Sequence, residues 1–161
     1  MPRYASDTSV TSEKSRGEIE RILERYGADQ FAYGWDADAA VVAFRLNSRQ
    51  VRLVVPLPAK NLPRFLTYRR GSSLFERTEE AARALWEQEC RQRWRALALV
   101  IKAKLEAVEC GISDFESEFL ANIMLPSGAT AGEWLKPQIE QAYLTGKMGS
   151  LLPLLPERGS S

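Results

Sequence analysis

Histidine is absent from the 161 residues. Its absence removes Ser-His-Asp and Cys-His nucleophilic catalysis, and with them every zinc site that uses imidazole. Cysteine is scarce, with only Cys90 and Cys110. Two thiolates build neither an all-sulfur zinc site nor a disulfide framework. Both fall in one predicted helix, 20 residues apart, about 30 Å along its axis, so they cannot pair within it. They read as reduced thiols behaving as small hydrophobes. Long apolar runs are also missing. The longest apolar-leaning stretch, Ala96 to Ile101, is flanked by Arg95 and Lys102 and is far too short for a membrane span. Met1 to Lys14 is polar and lacks the apolar segment of a secretion signal. The expectation is a cytoplasmic protein without a membrane contact. No glycine spacing fits a phosphate-binding loop. With no catalytic, metal or cofactor motif, the chain reads as a non-enzyme that carries no cofactor.

What is present is an ordinary globular composition, 45% apolar and 27% charged, in a chain long enough for one hydrophobic core. The expected class is α+β: an N-terminal helix, a three-stranded antiparallel β-meander, a long amphipathic helix across the sheet, and short C-terminal helices. Residues 1–12 are expected to fray, 13–150 to form the domain, and 151–161 to form an extended tail, because Pro153 and Pro156 forbid regular helix there. Ser12 or Ser15 can cap the first helix, with Glu18 three residues after Ser15 and Gly27 as its stop. The period then changes from 3.6 to 2. Phe31, Tyr33 and Trp35, then Val42 and Phe44, then Val51, Leu53 and Val55 fall on one face, read as core. Asp36-Ala37-Asp38-Ala39 and Asn47-Ser48 supply the turns. Asp36 and Asp38 could hold a cation with a third carboxylate, but Asp is first of all a turn residue.

Residues 56–77 contain Pro56, Pro58, Pro63 and Gly71 and read as a long irregular loop. Thr78 then caps a helix expected to run to Cys110, with Ala82, Trp86, Cys90, Trp94, Leu97, Ile101 and Leu105 in its apolar stripe. Ser113 is placed to cap a small helix carrying Phe115 and Phe119. Thr130 and Glu133 make a capping box for a last helix, which Trp134 is placed to anchor and Pro137 to kink or restart.

Net charge is only +1, but it is unevenly spread. Residues 1–59 balance at 8 basic and 8 acidic; 60–104 carry 11 basic and 5 acidic; 105–161 carry 3 basic and 8 acidic. Such asymmetry marks either an anionic partner or two parts that pack on each other. Arg91, Arg95 and Lys102, at spacings of 4 and 7, share a helical face. The 56–77 segment adds five cations, Arg69 and Arg70 among them, interleaved with Phe65, Tyr68 and Phe75. Arg45 and Arg52 point from the sheet face opposite the core. Cations interleaved with aromatics suit single-stranded DNA or RNA, through phosphate contacts and base stacking. Arg69, Arg70, Arg91, Arg95 and Lys102 are the candidate phosphate contacts. Against this, Glu87, Glu89 and Glu106 share the helix and could simply pair with these bases. The alternative is a protein-interaction module, an inhibitor of a host protein or an assembly factor, using the acidic C-terminal part and the Leu151–Pro156 tail. A protein partner or self-association would then replace nucleic acid.

Tyr26-Gly27-Ala28-Asp29-Gln30-Phe31, Arg91-Gln92-Arg93-Trp94-Arg95-Ala96-Leu97, Lys102-Ala103-Lys104-Leu105-Glu106, Phe119-Leu120 and Leu125-Pro126 together resemble a widespread family of small phage and prophage proteins. The resemblance runs from about Ser15 to Pro156. It implies a phage setting and no particular chemistry. The expected topology is also similar to the core of phage single-strand annealing proteins, a likeness of fold without a shared sequence motif.

Overall fold

The computed structural model describes residues 4–148, with side chains from residue 13 onward. The elements run α1 (Tyr4–Arg25), β1 (Gln30–Trp35), β2 (Ala39–Leu46), β3 (Arg49–Pro56), α2 (Pro63–Leu66), β4 (Thr67–Arg70), β5 (Ser73–Glu76), α3 (Glu79–Glu109), α4 (Phe115–Phe119) and α5 (Ala131–Thr145), with a 3-10 turn at Leu120–Asn122. The expected α+β class and order of main elements hold. Among the described residues no helix is long and apolar enough to cross a membrane. The tail expected at 151–161 lies outside the described residues.

The meander has the order β1-β2-β3 and the register that the alternation dictates. Phe31 stands opposite Phe44, Tyr33 opposite Val42, and Trp35 opposite Ala40. On the other side Phe44 stands opposite Val51 and Val42 opposite Leu53. Asn47 and Ser48 sit at φ 50° and 60°, the left-handed pair that a two-residue type I′ hairpin requires. Asp36 Oδ1 accepts the backbone N–H groups of Asp38 and Ala39 at 2.8 and 2.9 Å. It therefore serves the turn, and those two donors hold its carboxyl below the ordinary value.

One face of the sheet meets α1 and α3 in a single core that includes Ile19, Leu23, Val42, Val51, Ile101 and Leu105, all at most 1% exposed. The expected core face is corrected at its edge. Tyr33 and Trp35 are 47% and 55% exposed, because β1 is the outer strand and what faces them from α1 is a cation. Arg16 is buried, with its guanidinium 4.4 Å from the Tyr33 ring centre, 5.2 Å from Trp35 and 6.0 Å from Trp94. At the far end of α1, Tyr26 lies near Glu109; partial burial first, and the Glu109 carboxylate second, raise its phenol above the usual value. With Arg16 beside Trp94 and Tyr26 beside Glu109, α1 runs parallel to α3. It also starts at Tyr4 rather than at Ser12 or Ser15, so the expected boundary at residue 12 falls inside a helix. No glycine or proline interrupts Tyr4 to Arg16, and a formed helix extends through polar residues at little cost.

Thr78 caps α3 as expected, its side chain accepting from Ala81 N. The 31 residues of α3 span about 46 Å, against about 27 Å for the eight of β3. The helix therefore overhangs the sheet. Trp94 to Leu105 cover the main core, while Trp86 and Cys90 bury against Phe65 of α2, with Leu57 and Leu62 beside them. Trp86 Nε1 donates to the Pro58 carbonyl at 2.7 Å. Residues 56–77 are thus not an irregular loop. Pro63 opens α2, and β4 and β5 form an antiparallel ribbon with Tyr68 opposite Phe75. Gly71, at φ 65°, takes the first central position of the ribbon's turn, where a type II′ hairpin needs glycine. Cys90 is buried, which pushes its thiol up to about 11, whereas Cys110 is exposed.

The C-terminal part differs in detail from expectation. Asp114, rather than Ser113, caps α4, accepting from Ser117 N at 2.9 Å. Ile123 and Met124 bridge onto the edge of β3 and onto Thr130. The Thr130–Glu133 capping box forms, a device contributing about 1 kcal/mol. Helix α5 continues through Pro137 without a restart, although an interior proline removes one helix hydrogen bond and crowds the carbonyl four residues back, here that of Glu133. Trp134 is 43% exposed and does not anchor it. Its attachment is the close approach of Gly132 to Ala121, where a Cβ would come within 2.8 Å of the carbonyl oxygen, together with Arg52, which grips Glu133 at 2.7 Å.

Candidate functional site

The charge distribution resolves into pairs and remainders. Three carboxylates of the acidic C-terminal part are taken: Glu116 by Arg49, Glu133 by Arg52 and Glu118 by Lys104. Two of these three cations come from the first third of the chain. Packing of the acidic part on the body therefore neutralises little of the basic centre. The outer sheet face is occupied as well, since Arg45 holds Asp29 bidentately at 2.6 and 2.8 Å, and that guanidinium keeps the Asp29 carboxyl below its usual range.

Within residues 60–104, six of the eleven cations have partners. Arg64 and Arg93 both bond Glu89, at 2.6 and 3.1 Å. Burial pushes the Glu89 carboxyl up, but the two guanidiniums outweigh it and hold it below the ordinary value. Arg93 also donates to the Pro56 carbonyl. Arg83 meets Glu87, Lys104 meets Glu118, Lys60 lies 4.5 Å from the Trp86 ring centre, and Arg77 lies 5.2 Å from that of Tyr68. The five side chains left are Arg69, Arg70, Arg91, Arg95 and Lys102. Among the described residues none of them has an ion pair, side-chain hydrogen bond or ring contact. These are the five candidate phosphate contacts.

Their placement is in two groups. At 100° per residue, Arg91, Arg95 and Lys102 lie within about 40° of one another around α3, in a row about 16 Å long. The row is roughly a third of a turn from the buried stripe. Arg91 is half-buried, and Arg95 and Lys102 are exposed. Of the neighbouring acids on that side, Glu87 pairs with Arg83, while Glu106, four residues beyond Lys102, is exposed and forms no ion pair among the described residues. Arg69 and Arg70, by contrast, are consecutive in β4, so they point to opposite faces of the ribbon. One face carries Tyr68, Arg70, Ser73 and Phe75; the other carries Thr67, Arg69, Leu74 and Glu76. The ribbon reaches α3 through α2, whose Phe65 is wedged beside Trp86 and Cys90.

Sequence reasoning missed the pairing of Tyr68 with Phe75, whose rings stack 5.5 Å apart. The available signal was Gly71-Ser72 between two short runs of β-compatible residues. It missed also the Arg16–Tyr33–Trp35 cluster, for which a sequence gives no sign. No family model, curated protein or solved structure matches this chain.

Proposed function

We propose that this is a non-enzymatic phage protein of the host-cell cytoplasm that binds single-stranded DNA or RNA in replication or recombination. One observation carries the reading: the cations of the basic centre that lack a partner are a row on α3 and a pair on an exposed ribbon, while four of their neighbours are paired with carboxylates and two lie over aromatic rings. Unpaired cations bring no internal carboxylate with them, so an approaching phosphate meets their full charge. The phage setting rests on the resemblance of the Tyr26–Phe31, Arg91–Leu97 and Lys102–Glu106 segments. Fluorescence anisotropy of labelled single-stranded DNA, duplex DNA and RNA tests the reading. Binding is expected at low salt, weakening steeply as salt rises, with log affinity falling linearly in log salt. No binding at low salt would make these charges a solvated surface only.

A second reading, a protein-interaction or self-association module, is favoured by α5. That helix buries none of its residues and leaves Tyr143 and Leu144 at 88% and 73% exposure, with Met148 just beyond it at 83%. Leu135, Ile139, Ala142 and Tyr143 border an open hollow of about 830 Å³. If this surface joins two copies, light scattering gives a mass that rises with concentration, and Tyr143→Arg/Leu144→Arg returns it to the monomer. A concentration-independent monomer mass sinks the self-association form of this reading.

A further inference from the structure

We propose that the Tyr68–Phe75 face of the β4–β5 ribbon is a base-stacking platform, which gives the protein its preference for single strands over duplex. The inference rests on the nucleic-acid reading above and adds the element that reads the base rather than the phosphate. Four observations carry it. The two rings are a cross-strand pair, 5.5 Å between centres and 22° from coplanar. They are not core: Tyr68 is 40% exposed and Phe75 44%, and neither belongs to a buried cluster. Besides Ser73, the face they share carries only cations and no carboxylate. Arg70 lies two residues from Tyr68 on one side, and Arg77 lies two residues beyond Phe75 on the other, with its guanidinium 5.2 Å from the Tyr68 ring centre. The ribbon's single carboxylate, Glu76, is on the opposite face.

Two aromatic planes at the middle of a ribbon, with Arg70 about 7 Å along the strand and the Arg77 guanidinium held at the Tyr68 ring, match a splayed nucleotide. The base has a π-face to lay on the Phe75 side of the pair, a flanking phosphate meets the Arg70 guanidinium, and Arg77 adds positive charge at the Tyr68 ring. A duplex offers no free base face, so it gains only the phosphate contacts. An apolar peptide would gain nothing from the two flanking cations, and an acidic peptide nothing from the rings. The combination therefore selects an unpaired nucleic acid strand, shared in chemistry by DNA and RNA.

The test uses the full chain and three labelled probes: oligothymidylate, oligouridylate and an abasic oligomer with the same sugar–phosphate backbone. Tyr68→Ala/Phe75→Leu should weaken binding to the base-bearing oligomers roughly tenfold and leave the abasic oligomer unchanged. Tyr68→Phe keeps the ring and should bind like the parent, which separates lost stacking from a damaged ribbon. Comparable loss on thymidylate and uridylate assigns the platform to both nucleic acids; loss on one assigns it to that one. Equal loss on the abasic oligomer would show that the rings only support the backbone contacts. No loss on any probe would leave the phosphate row standing and remove the platform. Failure of the parent protein to bind any of the three would overturn the nucleic-acid reading itself, and the platform with it.

Discussion

Reversing two charges on α3, Arg91→Glu/Arg95→Glu, should weaken single-stranded nucleic-acid binding by roughly a hundredfold or more at low salt. The same variant should lower the slope of log affinity against log salt by about one to two. The magnitude follows from the position of these side chains. Each projects from the helix without a carboxylate partner among the described residues, so its charge is available in full. Replacing it leaves no acid orphaned but adds like-charge pairs at i,i+4 with Glu87 and between the two sites, so stability should fall by no more than about 1 kcal/mol. The matched control is Lys136→Glu/Lys147→Glu, which makes the same change in net charge on exposed positions of α5 and just beyond it. Anisotropy titrations over a salt series compare the two. If the control loses as much affinity as the α3 variant, only the total charge matters, and the row is not the contact surface.

The largest stability effect is expected at Phe119. Its side chain is fully buried, its ring meets Phe44 edge-on at 5.6 Å and Phe115 at 5.1 Å, and Lys104 Nζ lies 5.6 Å from its centre. It also terminates α4, a helix of only five residues that has no stability of its own. Phe119→Ala removes the ring from both contacts and opens a cavity between sheet and helix. A loss of about 3–5 kcal/mol is expected, a large part of the total stability of a domain this size. Urea denaturation should show it as a shift of the midpoint with an unchanged slope. A loss below about 1 kcal/mol would mean that α4 is not part of the main core.

Much of this arrangement can be read in the residues themselves. The meander is legible because Phe31 to Val55 alternate without a break in phase across both turns, so one register alone keeps Val42, Phe44, Val51 and Leu53 together. The long helix is legible from Thr78 and from an apolar stripe repeated over its whole length. The ribbon is not, for two physical reasons. Its strands are four residues each, and Thr67-Tyr68-Arg69-Arg70 has no apolar alternation because neither face is buried. The prolines before it, which read as loop signals, instead start α2 and place the Pro58 carbonyl for Trp86. For the site, spacing shows that Arg91, Arg95 and Lys102 share a flank, but pairing is a tertiary matter. Arg52 finds Glu133 at a separation of 81 residues and Arg64 finds Glu89 at 25. No local pattern distinguishes these arginines from Arg70 or Arg95. Tyr33 and Trp35 mislead for a related reason, since alternation gives the face of a strand but not what lies over it.

The cationic row and the buried stripe belong to the same helix. Because Trp94, Leu97, Ile101 and Leu105 are locked between the sheet and α1, α3 can neither turn about its axis nor slide without unpacking the core. The anchor points of Arg91, Arg95 and Lys102 are therefore fixed in advance, at the spacing of a rigid rod. An anion meeting them has only side-chain rotamers to order, and no backbone to recruit. Preorganisation of this kind comes with the architecture: the residues that hold the domain together also hold the charges still.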